Sequence, residues 1–334
     1  MHSFLHAIGA TVDDDNCAFA GEPNSFDGLA QNIIVPLSHY GVLTIQGAEA
    51  EQFLQGQITC SAVETTPTLS SPGAFCTPKG RVVTSFQLLR PQPDTFWLRM
   101  RSDTLDVASR SFGKYIVFSK AKLAIAESII GIGLYGTEVG ATLSELIDAL
   151  PTQQNGCVSH ADGLLWQCDA AGTQYEYWGS VEAAMQVWSH CAQHCVAVGS
   201  RYWRWLQIRS GGADICATTS EMFLPHMLNY HETGAINFSK GCYTGQEIVA
   251  RTHYRGQVKR HLLRAIVTGP APTPGSDVTL ADGKVVGNVV DSVTTGADTA
   301  ELLAVVADES AETSAVLQCG DAKLEALAPT YAIP

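Results

Sequence analysis

Alternating apolar and polar positions in the first half of the chain predict paired β-strands. The alternation has a period of two over 81–89, and the segment 95–100 can pair with it across a proline-rich segment at 91–94. We therefore predict a β-hairpin across this segment. Shorter apolar runs predict further strands at 42–45, 122–126, 129–134, 164–168 and 175–178.

Apolar positions spaced three and four apart predict helices between these strands. The clearest helix spans 180–195, and its apolar stripe consists of Val181, Ala184, Met185, Trp188, Cys191 and Cys195. Shorter helices are predicted over 48–55 and 102–114. Thr142 and Glu145 have the spacing of a capping box, which predicts a helix that begins there and ends at Pro151. Because strands and helices mix without a regular strand–helix–strand rhythm, the fold class is α+β.

The pattern changes near residue 260. Apolar, β-branched runs at 262–267, 285–293 and 302–306 are separated by turns rich in glycine and proline, which predicts a small C-terminal β-barrel. We divide the chain into a loose polar lead-in at 1–30, a core at 31–265 and the barrel at 266–334.

Composition narrows the class of protein. The 334 residues carry a net charge of −13, which argues against direct binding of nucleic acid but leaves room for one basic groove. No apolar run is long enough to cross a membrane, and the N-terminal segment lacks the pattern of a secretory signal. The ten cysteines contain no Cys-X-X-Cys pair, so we expect reduced thiols, no metal site and a cytoplasmic protein.

The segment 240–247 is the most specific motif in the chain. It places Cys242 between two glycines, with Lys240 nearby and a predicted helix after it. Thr244 and Glu247 have capping-box spacing at that helix start. A helix start and a neighbouring cation favour the thiolate, so we expect a functional thiol at Cys242. The alternative is a tight turn that holds an inert, buried cysteine.

The motif resembles the signature of the YgfZ-type folate-binding proteins, which are relatives of the T-protein (aminomethyltransferase) of the glycine cleavage system. Further blocks at 54–59, 77–81, 114–120, 203–211 and 223–229 are similar to that family in the same order. The resemblance covers most of 38–262 and is weaker over 125–200 and the last seventy residues.

The resemblance implies two interleaved α+β subdomains around a central folate site, closed by a C-terminal β-barrel. It implies tetrahydrofolate or a one-carbon derivative as the ligand, and support of iron–sulfur enzymes, including those that modify tRNA, or of their assembly machinery. The residues that it assigns to folate binding are Trp203, Tyr40, Arg251, Tyr243, Gln246 and Glu247.

The residues alone leave the role of Trp203 open. Trp203 and Trp205 lie two apart on a predicted strand, so they are expected to share one face. That face is either a wall of a ligand pocket or simply core.

Two other functions stay open at this level. A folate-dependent aminomethyltransferase needs a carboxylate at the reacting amine. Asp103 lacks the family's setting for that role, and Arg209 stands where a glutamate is common. An RNA-binding adaptor would use a basic cluster made of Arg251, His253, Arg255, Lys259, Arg260 and His261.

Overall fold

The structure is a computed structural model that describes residues 1–13, 16–22, 26, 32–312 and 316–327. Its helices are α1 (His2–Ala7), α2 (Ala50–Gln55), α3 (Leu105–Ile116), α4 (Val139–Ser144), α5 (Val181–Cys191), α6 (Ser200–Ser210), α7 (Gln246–Arg255) and α8 (Asp308–Glu312). The strands before residue 150 are β1 (Thr11–Asp13), β2 (Asn16–Ala18), β3 (Ile33–Pro36), β4 (Tyr40–Gln46), β5 (Ser71–Cys76), β6 (Val82–Gln92), β7 (Thr95–Arg101), β8 (Lys122–Ile125) and β9 (Ile129–Tyr135). The later strands are β10 (Cys157–His160), β11 (Gly163–Gln167), β12 (Gln174–Ser180), β13 (Val196–Ala197), β14 (Arg260–Thr268), β15 (Asp277–Leu280), β16 (Val285–Gly296), β17 (Thr299–Ala307), β18 (Leu317–Cys319) and β19 (Ala322–Leu327).

The core of the chain contains two β-sheets, and the chain passes from one to the other and back. The first sheet has the order β5-β6-β7-β4-β8, and the second has the order β10-β11-β12-β9-β3-β13. The chain starts in the second sheet with β3, builds the whole first sheet, and returns to the second with β9. This interleaving confirms the α+β class and the two subdomains. The predicted hairpin is also confirmed, as β6 and β7.

The last sheet is a closed barrel with the order β14-β17-β16-β15-β18-β19. Its first and last strands pair from Arg264 with Leu327 to Thr268 with Lys323, which leaves no open edge at that seam. Along β17 the side chains from Leu302 to Val306 are buried, inside the barrel or against the core. The predicted C-terminal barrel is therefore confirmed, and its strands begin at Arg260.

The segment with the two tryptophans is a helix, so the predicted strand there is wrong. Aromatic residues favour strands, but in α6 they pack at helical spacing, with Tyr202, Trp203 and Leu206 on its buried side. Two residues apart on a helix differ by about 200°, so their side chains lie on nearly opposite faces. Trp203 accordingly reaches Glu176 of the second sheet, whereas Trp205 donates to Glu301 of the barrel.

Three smaller expectations also change. The helix α4 begins before Thr142, whose hydroxyl donates to the carbonyl of Glu138 instead of capping the helix. The helix α5 ends at Cys191, short of 195, and is capped by Ser180. The described residues of the lead-in are folded rather than loose, because α1 buries Phe4 and Leu5 in the core of the second subdomain.

Candidate functional site

A cavity of about 290 Å³ lies where the two sheets face each other, below the loop that follows α6. Strands β6 and β7 of the first sheet form one wall, and β11 and the loop after it form another. The lining combines rings with hydrogen-bonding groups, and its chemically informative members are Ser85, Gln87, Arg99, Trp166, Asp214 and Tyr230.

A buried ion pair joins the two sheets at the floor of this cavity. Arg99 on β7 binds Glu176 on β12 with both ends of its guanidinium, and the Nε–Oε2 distance is 3.0 Å. The side chains are only 4% and 0% exposed. Burial alone would lower the pKa of Arg99, but the carboxylate of Glu176, with Tyr40 and Asp214, raises it well above its ordinary value. Arg99 is therefore a permanent cation in a water-poor site.

Two indole groups complete the environment of Glu176. The Nε1 of Trp178 donates to Oε2 at 2.7 Å, and the Nε1 of Trp203 donates to Oε1 at 3.2 Å. The ring of Trp203 lies so close to Gly133 that a Cβ there would come within 2.5 Å of it. Trp203 is fully buried and lies behind the cavity wall, where it fixes the carboxylate that holds Arg99.

Asp214 is the cavity-lining carboxylate that contacts Arg99. Its side chain is 20% exposed, it accepts a short hydrogen bond from the hydroxyl of Tyr40, and its Oδ2 lies 3.7 Å from Nη1 of Arg99. Ser85 donates to its other oxygen at 3.4 Å. The ring of Tyr40 supports the guanidinium of Arg99 from below, 3.5 Å from ring centre to Cζ. Burial raises the pKa of Tyr40 well above its ordinary value, so Tyr40 remains a donor.

These contacts define what the cavity can bind. Arg99 and Asp214 present opposite charges in fixed positions, and the ring of Trp166 lies 5.4 Å from the guanidinium. Gln87 is held by Ser70 and Asn155. A flat heteroaromatic ligand with donors and acceptors on its edge suits such a site.

Sequence reasoning missed the three charged residues that organise the cavity: Arg99, Glu176 and Asp214. A signal for two of them is present in the chain. Arg99 interrupts an apolar run in β7, and Glu176 stands between tyrosines in β12. A charge within a strand that is buried on both faces predicts a paired or functional group. Asp214 follows Gly211 and Gly212 in a loop, so its sequence context gives no such signal.

The signature loop lies beside the cavity rather than in it. Lys240 donates from Nζ to the carbonyls of Ile58 and Cys60, at 2.6 and 2.7 Å, and burial lowers its pKa to about 8. The neighbouring Thr59 accepts the N–H of Ala74 and donates to the carbonyl of Ala235, which lines the cavity. Segment 58–60 thus connects the loop to the cavity.

The capping box predicted for this loop is wrong. Thr244 donates to Oε1 of Gln57 at 3.2 Å and makes no bond to the helix start. Gly245 occupies the N-cap position of α7 with φ of 87°, a left-handed conformation that glycine adopts without strain. The hydroxyl of Thr244, two residues before the first residue of the helix, therefore contacts the first subdomain instead of the helix.

We expect Gly245→Ala to destabilise the protein by at least about 1–2 kcal/mol. An alanine in this left-handed backbone conformation is strained, and its Cβ would also lie 2.5 Å from the carbonyl oxygen of Thr77. Gly241→Ala is the matched control, since nothing lies within 4 Å of a Cβ there. Urea unfolding followed by circular dichroism measures both. Equal stability of the two variants would contradict this account of the loop.

The remaining signature residues are divided between core and surface. Tyr243 is buried, and its ring centre lies 5.1 Å from Nζ of Lys240. Gln246 is partly buried, whereas Glu247 and Arg251 are exposed along α7. Within the described ranges, none of these residues lines the cavity, so a direct folate contact by them stays a prediction.

Cys242 is the exposed cysteine of this chain, because the other nine are buried or, for Cys168, partly buried. We expect Cys242 to be alkylated much faster than Cys191 or Cys195. Burial raises the pKa of those two thiols to about 12 and about 11, which removes the reactive thiolate. Peptide mapping by mass spectrometry after brief iodoacetamide treatment measures each site. Equal labelling of Cys191 in the folded protein would refute the prediction.

Two negative findings apply to the described residues. No group of three or more histidine, cysteine or acidic side chains is placed to hold a metal ion there. No helix in those ranges has the length and apolarity needed to span a bilayer.

Asp103 lies in a 3₁₀ turn before α3, accepts the N–H of Ala217 and does not line the cavity.

Three known proteins are similar to this chain in sequence over most of its length. The tRNA-modifying protein YgfZ of Klebsiella pneumoniae (strain 342) is 32% identical over 252 residues, which are 75% of this chain and 76% of that protein. YgfZ of Yersinia enterocolitica is 29% identical over 314 residues, 92% and 94% of the two chains. YgfZ of Cronobacter sakazakii is 31% identical over 253 residues, 75% and 76% of the two chains. No protein-family model matches the chain.

Among solved structures, aminomethyltransferase T of the glycine cleavage system from Bartonella henselae has the same fold. Its TM-score is 0.71, over 99% of this chain and 96% of that one, at 15% sequence identity. Interleaved sheets and a C-terminal barrel are therefore an architecture shared with a solved protein.

Proposed function

This chain belongs to the YgfZ family, and on that premise we propose that it is a cytoplasmic tetrahydrofolate-binding protein that supports tRNA modification by iron–sulfur enzymes. The tRNA context comes from the name of its relatives, tRNA-modifying protein YgfZ. The folate ligand and the iron–sulfur partners come from the resemblance of the signature to the family.

The observation that carries the folate proposal is the cavity with its fixed charges. A pterin ring is flat and has N–H donors on one edge, which match a carboxylate such as that of Asp214. Trp166 supplies an aromatic wall, and Arg99 supplies a donor for carbonyl oxygen. The residues present therefore fit the pterin end of a folate. Arg251, a cation outside the cavity, remains a candidate for the glutamate tail, and Tyr243, Gln246 and Glu247 remain predicted folate-binding residues without an assigned part of the ligand.

Calorimetric titration with tetrahydrofolate tests this proposal. We expect saturable binding of one ligand per chain, and its loss in Thr233→Trp, which places a large ring at the exposed rim of the cavity. Thr299→Trp adds the same ring at an exposed barrel position and is the matched control. Absence of binding to the wild-type protein, or equal binding to both variants, would remove the cavity from consideration.

Trp203 has an indirect role in this proposal. We expect Trp203→Phe to weaken tetrahydrofolate binding by less than about tenfold, because it removes one hydrogen bond to Glu176 and leaves a smaller aromatic ring in the place of the indole. Trp178→Phe removes the companion bond and should act similarly. The same titration measures both variants. A complete loss of affinity in a folded Trp203→Phe protein would mean that the indole contacts the ligand itself.

The iron–sulfur part of the proposal places the cluster in the partner enzyme. Among the described residues no set of thiols is arranged to hold a cluster, and Cys242 is the thiol available to a partner. Modified nucleosides in tRNA, quantified by mass spectrometry in cells that lack the native protein, measure this support. Cys242→Ser should impair it without unfolding the protein. Full support by that variant would leave the signature with a purely structural role.

A further inference from the structure

An exposed groove lies at the C-terminal end of α3, between that end and α2 of the first subdomain. Phe118 is 87% exposed and Val117 is 72% exposed, more than the other large apolar side chains of the described residues. The groove has a volume of about 390 Å³, and Phe118 lines it together with Phe53 and Tyr115. Large apolar groups left in water at a concave surface mark a binding site.

The groove is aromatic but not apolar throughout. Gln52, Gln57 and Ser119 line it beside the rings, and so does the carboxylate-bearing Glu49, which pairs with Lys120. Amide side chains both donate and accept, which is the pattern needed to pair with the edge of a nucleobase. A pocket for an aliphatic side chain of a protein would not need these groups.

The surroundings of the groove are basic in an acidic chain. Segment 110–122 contains Arg110, Lys114, Lys120 and Lys122 and no acidic residue, and all four are exposed. Arg110 and Lys114 lie one turn apart on α3. Lys120 is 83% exposed and lies 3.8 Å from Glu49, a weak pair that an incoming phosphate can replace. This surface is therefore locally basic, although the whole chain has a net charge of −13.

We propose that the groove binds a single-stranded RNA segment, with one base held between Tyr115 and Phe118 and the backbone phosphates along the four basic residues. Aromatic stacking next to a basic track is how proteins hold single strands. The site differs from the basic cluster at 251–261, and it goes beyond the proposed folate function.

The groove is also connected to the signature loop. Gln57 lines it and accepts the hydrogen bond from Thr244, two residues from the exposed thiol of Cys242. An RNA bound here would therefore lie on the same face as the signature. RNA bound in the groove would thus lie next to the signature loop and its exposed thiol.

Fluorescence anisotropy with a labelled single-stranded oligoribonucleotide, its duplex, and an unmodified tRNA transcript tests the proposal. We expect the single strand to bind better than the duplex, and Phe118→Ala to weaken binding by about tenfold or more. Val63→Ser, at another exposed apolar position, is the matched control and should bind as the wild type does. Phe118→Ala should bind tetrahydrofolate normally, which separates this test from that of the folate cavity.

Salt dependence tests the electrostatic part. Lys114→Glu should reduce the slope of log affinity against log salt by about one, whereas Lys284→Glu on the barrel should leave it unchanged. Equal effects of the two charge reversals would overturn the proposal, as would RNA affinity that is equal in Phe118→Ala and Val63→Ser. If wild-type protein binds none of the RNAs but Phe118→Ala still reduces tRNA modification in cells, the groove serves a protein partner and the RNA proposal is wrong.

Discussion

Replacing Arg99 by methionine is expected to lower the free energy of unfolding by about 3–5 kcal/mol. The substitution leaves the carboxylate of Glu176 without its cation at a position that is 0% exposed. The two indole donors of Trp178 and Trp203 remain, but they cannot replace a full opposite charge. Because the pair joins β7 to β12, its loss should also loosen the contact between the two sheets. Urea unfolding followed by circular dichroism gives the free energy.

Two further variants separate the buried pair from a general loss of arginine. Arg90 is 15% exposed and pairs with Glu51, which is 39% exposed. Arg90→Met also loses hydrogen bonds to the carbonyls of Thr65 and Pro93, but it leaves no fully buried carboxylate unpaired, so it should cost less than Arg99→Met. In the double variant Arg99→Met with Glu176→Gln, the neutral amide still accepts from an indole, and most of the lost stability should return. Equal costs for Arg99→Met and Arg90→Met, or no recovery in the double variant, would show that the pair is not what holds the sheets together.

Much of the fold could be predicted because its signals are local. The β6–β7 hairpin follows from alternation in one segment and an adjacent segment that can pair with it, and the barrel follows from β-branched runs between turns. The segment around Trp203 could not be predicted in this way. Its aromatic residues favour a strand by propensity, and only packing against both the second sheet and the barrel makes α6 the better solution.

The candidate site was predicted less completely than the fold. Trp203 and Tyr40 belong to its network, but the charged residues that they support were not recognised. Arg99 and Glu176 are 77 positions apart in the chain, and their pairing depends on two sheets facing each other. The signature at 240–247 is recognisable because its residues are contiguous, yet its contacts are backbone carbonyls of segment 58–60, which a side-chain motif does not reveal.

Asp214→Asn is expected to weaken tetrahydrofolate binding by about tenfold to a hundredfold, the range for a lost hydrogen bond to a charged group. The variant keeps the shape of the side chain, and its oxygen can still accept from the hydroxyl of Tyr40, so the fold should be retained. An amide in place of the carboxylate loses the charge and one acceptor, and a pterin edge that offers two N–H donors then meets an N–H group. Calorimetric titration measures the change.

Asp169→Asn provides the matched control within the same cavity. Asp169 also lines the wall, but its carboxylate accepts from the backbone of Thr173 and Gln174 and from the hydroxyl of Thr173, at 2.6–3.0 Å. Its acceptors are therefore used within its own turn, and we expect little change in ligand affinity. Equal losses in the two variants would mean that negative charge in the cavity acts only at a distance. A larger loss in Asp214→Asn would assign the pterin edge to the one cavity carboxylate that Arg99 and Tyr40 hold in place.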